Sequence, residues 1–366
     1  MCNPVFQSKI TSAGLAAGAV DGADALTAAR ADLLRQARAA RALGSPFVGD
    51  VLISAAWQLN RAPLLALRLA TWPGDRAAAA LALRVNGALH ALARGGQIGS
   101  LSAVYAARGG DIDRAVADAF DAADALLTGA IAHPTQTNEV ARSGALYAGL
   151  MTAAAQFNQP VELLELGSSA GLNLNLARYA YCLGGTAAGD PASIVRIAPR
   201  WCGLSPPRYP LSIASAAGVD LAPLDVNNPQ ACERLLAWVW ADRDDRMAQL
   251  QAAIRIARQH PPRVDRGNAA AWLEMALARW QAAGTTRAVI HSMVRQYCDA
   301  PTRARMVCAL GRAGAGADAT RPLVYLTYEW DEARRTVELL LTTWPDGQTR
   351  LIAQPDPYGD RVHWFG

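Results

Sequence analysis

The chain has 366 residues, 52% of them hydrophobic and 18% charged, with a formal net charge of +4. That is an ordinary globular composition of one large or two compact domains, and it excludes a disordered or fibrous chain. So small a net charge gives no support for nucleic-acid binding as the main task.

Residues 1–28 are small, polar and weakly patterned, and read as a flexible N-terminal extension. They lack a basic region followed by an apolar core, and no apolar run reaches spanning length, so neither a signal peptide nor a membrane span is expected. From 29 to 157 the text is rich in alanine and leucine at helical spacing. It predicts helices over 30–43, 47–59, 62–71, 77–94, 114–132 and 138–157, an all-helical cap domain. Gly-Ser-Pro at 44–46, Trp-Pro-Gly-Asp at 72–75 and the Gly-Gly pairs at 95–96 and 109–110 punctuate them. Asp75 and Thr137 are candidate N-caps.

From 158 to 366 the pattern changes to apolar strands alternating with helices, the signature of an α/β domain with a parallel sheet. Strands are expected at 161–166, 215–221, 262–267, 287–293 and 323–328, and helices at 171–180, 230–259, 268–283 and 300–313. Runs 336–343 and 349–354 flank Pro345-Asp346-Gly347 and read as a closing antiparallel hairpin. Gly171 and Asp220 are 49 residues apart, where about 20 is usual before the acidic residue of such a fold. The Gly- and Pro-rich stretch 182–210 is therefore read as an insertion, a lid or small hairpin.

The chemistry concentrates at the strand ends. Val161 to Leu166 leads into Gly167-Ser168-Ser169-Ala170-Gly171-Leu172-Asn173, a strand, a tight turn and a helix start. Such a turn lets backbone approach a ligand and aims free N–H groups at it. Glu165 places a carboxylate beside the turn. Glu-x-Gly-x-x-x-Gly resembles the first motif of Rossmann-like methyltransferases that use S-adenosylmethionine (SAM), with Ser169 where those enzymes usually carry a third glycine. Gly218-Val219-Asp220 through Pro223 resembles their second-strand motif, whose acid binds the ribose hydroxyls. The resemblance implies a cytoplasmic transferase with SAM as cofactor. Glu165, Gly167, Ser169, Gly171, Asn173, Asp220 and Asn268 would hold the cofactor, with Asn268 at the adenine.

The fourth strand ends in His291, with Gln296 and Tyr297 just beyond. Asn138, Glu139 and Arg142 form a second polar cluster just before the sheet. Glu139 and His291 are the candidate proton acceptors; Asn138, Arg142, Gln296 and Tyr297 are candidate substrate contacts. Ordinary structural roles compete with these: Asn268 as a helix N-cap, Glu139 and Arg142 as a surface ion pair one turn apart. His90, on an apolar helix, reads as a core residue. His133 and His260, at element ends, read as caps. Trp238 and Trp240 read as packing residues. Six scattered cysteines lack metal-ligand spacing, so no metal is expected. The acceptor is expected to be a small molecule, with no nucleic-acid or membrane partner; oligomeric state is not legible.

Two rival readings exist. One is a SAM-binding scaffold without transfer chemistry. The other is a serine hydrolase, because Gly167-Ser168-Ser169-Ala170-Gly171 also fits Gly-x-Ser-x-Gly with Ser169 as nucleophile. Finally, Arg41 through Pro46, Trp72 through Asp75, Gln136 through Glu139, Leu164 through Asn173, Gly218 through Asp225, Trp344 through Gly347 and Val362 through Trp364 together resemble a bacterial family known as domain of unknown function 2332. That resemblance spans about 35–365. It implies that the helical part and the sheet form one unit, and it carries no settled activity.

Overall fold

A computed structural model describes residues 22–366. The expected extension falls largely on residues 1–21, outside the described residues; from Gly22 the chain is already helical. The helices α1 (Gly22–Ala42), α2 (Pro46–Gln58), α3 (Pro63–Ala70), α4 (Leu81–Arg94), α5 (Gly99–Ala107), α6 (Ile112–Ala132) and α7 (Ser143–Phe157) come first. Then follow β1 (Val161–Leu166), β2 (Ala180–Leu183), β3 (Thr186–Gly189), β4 (Arg196–Ile197), β5 (Arg200–Gly203) and β6 (Ile213–Asp220). The remainder is α8 (Pro229–Trp238), α9 (Asp244–Gln259), β7 (Val264–Arg266), α10 (Ala269–Ala278), β8 (Thr286–Ser292), α11 (Ala300–Ala315), β9 (Leu323–Trp330), β10 (Val337–Trp344), β11 (Gln348–Pro355) and β12 (Arg361–Trp364).

The protein is a mixed α/β molecule: a large, mostly parallel sheet with an N-terminal helical region. The sheet has nine strands in the order β5-β12-β11-β10-β9-β8-β1-β6-β7. β7, β6, β1, β8 and β9 run parallel, while β9, β10, β11 and β12 form an antiparallel meander. The five parallel strands and the hairpin are those expected; β12 and β5 lengthen the sheet beyond them. Strand order reverses about β1, which has β6 on one side and β8 on the other. Ligands of open α/β sheets bind at such switch points, outside the carboxyl ends of the strands.

Three cores divide the described residues, one of them packing α10 and α11 against Leu164, Leu166 and Val289 of the sheet. A second is made by α1 to α6, from Ala29 to Ile131, and is closed by Trp240. The third covers one face of the sheet and includes Ala145, Leu146, Leu150 and Met151 of α7. α7 therefore packs on the sheet, and the helical cap ends near 132 instead of 157. Its sequence explains why: Gly144 and Gly149 are backed by Ile197 and Leu326, so the helix lies directly on the strands.

Three local expectations are corrected. The helix expected over 230–259 is two, because Val239 to Arg243 turns out of the helical path to bury Trp240 in the cap core and to let Asp242 accept from the Phe47 N–H at 3.0 Å. The segment after Gly171 is a 3-10 helix, Leu172–Arg178. Of the two forms expected for the stretch 182–210, the small hairpin is present and the lid is not: β2 and β3 pair antiparallel about Gly184-Gly185 and with β4 form a separate small sheet, while β5 joins the edge of the main sheet. α5 was not expected at all; its short run of small residues between two Gly-Gly pairs carries little helical signal.

Candidate functional site

A cleft of about 610 Å³ lies between the cap and the carboxyl ends of β1, β6, β7 and β8. Its size suits a nucleoside-sized ligand. Asn138, Glu139, Arg142, Glu165, Gly167, Ser169, Asn173, Asp220, Asn268, Gln296 and Tyr297 all line it. These residues span 160 positions of sequence, and the sheet topology brings them together. Gly171 and His291 are the two expected site residues outside the lining.

The turn after β1 is fixed by its own neighbours. Gly167 has φ +69°, and a Cβ there would lie 2.4 Å from Val294. Gly171 has φ +71° and faces away from the cleft, against Pro262 and Val264. The Gly167 and Ser168 N–H groups both donate to the Val219 carbonyl. The Ser169 N–H donates to Asp220 Oδ2 at 2.8 Å. The Ala170 and Leu172 N–H groups donate to Asn138 Oδ1 at 3.1 and 3.3 Å, and the Gly171 N–H to the Ser168 carbonyl. The expectation of free N–H donors is thus corrected. Every donor from 167 to 172 is consumed inside the protein, so the turn is not an anion cradle. Asn138 adopts φ +35° to serve it, a conformation that asparagine tolerates better than most residues.

The unpaired groups are of the opposite kind. Glu165 is 2% exposed; Oε1 accepts from Asn173 Nδ2 at 3.1 Å, and Oε2 has no partner in the protein. Asn173 Oδ1 and Ser169 Oγ are likewise buried and unpartnered. Burial raises the Glu165 pKa to about 8; Asn173 and Ser168 pull it down and Asp220 pushes it further up. A buried acceptor left unmade costs about 1–3 kcal/mol. Asn173 Oδ1 calls for a ligand that brings a donor, and a cationic donor would also draw the proton off Glu165 and satisfy the carboxylate.

Asp220 closes the next strand. Its oxygens accept from the Ser169 and Ala222 N–H groups, both at 2.8 Å, and Oδ1 also faces Gln136 Nε2 at 3.5 Å, which leaves a lone pair on Oδ2 for a further donor. Gln136 reaches over it and donates to the Ala222 carbonyl at 2.5 Å. Asn268 is the N-cap of α10, Oδ1 accepting from Ala270 and Ala271 at 3.0 and 3.2 Å. Its structural role is therefore established.

On the cap side, Glu139 bridges to Arg246 at 3.8 Å, not to Arg142. Burial raises its pKa, opposed by Arg246 and Arg142. Arg142 instead donates from Nε to the Pro357 carbonyl at 2.9 Å.

His291 is 1% exposed and set below the cleft floor. Nδ1 lies 2.6 Å from Glu329 Oε1 and Nε2 lies 2.7 Å from the Tyr325 hydroxyl. Glu329 Oε1 also accepts from the Val294 N–H at 2.7 Å. His291 thus braces the residues that pack on Gly167, and is no contact for a ligand. Glu329 was missed by sequence reasoning; its spacing on β9 gives no sign of partnership with a histidine 38 residues earlier. Trp238, Trp240, Trp330 and Tyr358 also line the cleft and were not foreseen there.

The other histidines fall as read. His90 is in the cap core with Nδ1 3.1 Å from the Ala237 carbonyl. His133 and His260 are C-caps of α6 and α9. The ring of His363, for which no role was expected, lies tilted at 59° to that of Phe365, centroids 4.6 Å apart.

The family described as "Uncharacterized protein conserved in bacteria (DUF2332)" matches residues 30–364. The chain belongs to this family. The match extends from the cap to the last strand. Neither a curated protein nor a solved structure matches. No helix among the described residues is long and apolar enough to cross a membrane.

Proposed function

We propose that this DUF2332 chain is a SAM-dependent methyltransferase acting on a small molecule held between cap and sheet. The observation that carries the reading is the pair of unpartnered acceptors, Glu165 Oε2 and Asn173 Oδ1, at the switch point of the sheet. They suit the amino group of a methionine moiety. Asp220, one strand over, retains a lone pair on Oδ2 for one ribose hydroxyl, and the second would displace Gln136 from Oδ1. Asn268 has its oxygen committed to α10 and keeps its amide nitrogen for an adenine acceptor. SAM, when bound, supplies a methyl group on a positively charged sulfur.

The chain's own contribution is positioning and exclusion of water. Glu165 and Asn173 hold one end of the cofactor and Asp220 its middle. The cap closes over them through Gln36, Leu43 and Leu83. Glu139, poised by burial to accept a proton, serves as base for an acceptor that loses one.

A scaffold without turnover has one observation in its favour: Asn138 and Gln136 already fill hydrogen-bonding positions at the turn and above Asp220. Methyl-label transfer to a metabolite pool separates the two readings. Calorimetric titration with SAM and S-adenosylhomocysteine tests both. A charge-assisted hydrogen bond contributes about 1.5–3 kcal/mol. Asp220→Ala should therefore weaken SAM about 10–100-fold. A folded protein that binds neither molecule refutes the reading.

A further inference from the structure

The cap-side wall of the cleft carries two charged groups, Glu139 and Arg142, and the cation is Arg142. The residue is 7% exposed and lines the cleft. Nε is spent on the Pro357 carbonyl at 2.9 Å. Its two Nη groups have no hydrogen bond or ion pair among the described residues, since Glu139 turns to Arg246 instead. A guanidinium so buried, with no direct ion pair and only the field of Glu139 to offset its charge, is costly. It presents two parallel donors, the geometry that matches a carboxylate.

The walls beside it are aromatic. Tyr358 follows Pro357 directly, with the Trp240 ring 4.8 Å from its own. Arg246 backs the Tyr358 ring at 4.3 Å. Tyr297 accepts from Thr135 at 2.5 Å. Burial raises both tyrosines and the Arg142 charge draws both back, so they share its field. Asn86, also lining the cleft, is buried with Oδ1 unpartnered, an acceptor for a donor on the ligand.

We propose that Arg142 anchors a second subsite that takes an aromatic carboxylic acid, its carboxylate on the guanidinium and its ring against Tyr297 and Tyr358, the latter backed by Trp240. A planar ring fits aromatic faces, and a single planar fork suits a two-oxygen anion better than a phosphate, which needs more donors. The inference rests on the methyltransferase reading only in naming this the acceptor's end.

The test uses the full chain, with benzoate and its neutral isostere benzamide as probes, followed by tryptophan fluorescence. Benzoate should bind saturably and benzamide about tenfold more weakly or worse, the loss of one charge-assisted pair. Arg142→Gln should weaken benzoate by about the same factor while leaving the SAM dissociation constant within about twofold. Because Arg142 also ties down Pro357, Tyr358→Leu serves as a second variant, expected to weaken benzoate and spare SAM. Equal binding of the two probes, or a folded Arg142→Gln with full benzoate affinity, overturns the proposal. A loss of SAM affinity in Arg142→Gln as large as that for benzoate also overturns it, by assigning the guanidinium to the cofactor. If the protein binds benzoate over benzamide but neither SAM nor S-adenosylhomocysteine, the subsite stands and the methyltransferase reading falls.

Discussion

Glu165→Gln should stabilise the protein at alkaline pH, against the usual effect of a buried substitution. Glu165 is protonated in the fold up to about pH 8, while its ordinary value is 4.5. Between those values the folded state holds a proton that the unfolded state has released. Stability from this group is therefore full below about pH 4.5 and is lost as pH rises through 8, at about 1.4 kcal/mol per unit. Glutamine keeps the shape and the bond to Asn173 without the ionisation. Its advantage should be about 4 kcal/mol at pH 8 and below about 1 kcal/mol at pH 5. For a chain of this size that is a melting temperature higher by about 6 °C at pH 8. Thermal melts of both proteins at pH 5, 6, 7 and 8 check it. A second readout follows from the proposed ligand. An ammonium group beside Glu165 would drive its proton off, releasing about 0.9 proton per site at pH 7, detected by calorimetry in buffers of different ionisation enthalpy. The groups facing Glu165 are Asn173, Ser168, Asp220 and Tyr179, and burial holds the Tyr179 hydroxyl far above its ordinary range, so it keeps its proton throughout. Parallel stability curves for the two proteins would refute the reasoning, because they would mean that Glu165 is ionised in the fold.

His90 should give the opposite slope. Burial lowers its pKa to about 4 from 6.5, so its contribution is present above pH 6.5 and is lost as pH falls toward 4, by about 3 kcal/mol; acid unfolding of His90→Gln should show a shallower dependence over that window. Gly167→Ala should destabilise by about 2–4 kcal/mol, from the left-handed backbone and the contact with Val294, measured by urea unfolding; a change under about 0.5 kcal/mol would mean that the turn is looser than described. Ser169 should resist a fluorophosphonate probe. Its Oγ has no hydrogen-bonding base, and the Ala170 N–H that would stabilise an oxyanion is held by Asn138. Labelling that disappears in Ser169→Ala would restore the hydrolase reading.

The sequence by itself determined the alternation of strand and helix from 161 onward, because apolar runs bounded by turns have few other solutions in a chain this size. It also placed the polar residues at strand ends, and a parallel sheet then carries Glu165, Asp220 and Asn268 to one edge. The cap helices were legible from their spacing except α5, too short and too poor in large residues to stand out. Tertiary structure alone decided the rest. Periodicity says that α7 has an apolar face, not which core receives it. Nothing in the turn's text shows that Asn138 takes its donors and leaves acceptors exposed in their place. Trp240 breaks a helix because the cap core gains more from its burial than the chain loses in two turns' continuity, and that balance depends on a core built from residues 29–131. His291 looks like a strand-end acid or base until Glu329 and Tyr325 are seen to hold both of its nitrogens. Hydrogen-bond satisfaction is a property of the assembled site, so the sequence could name the residues near the cleft but not say which of them remain unpaired and available to a ligand.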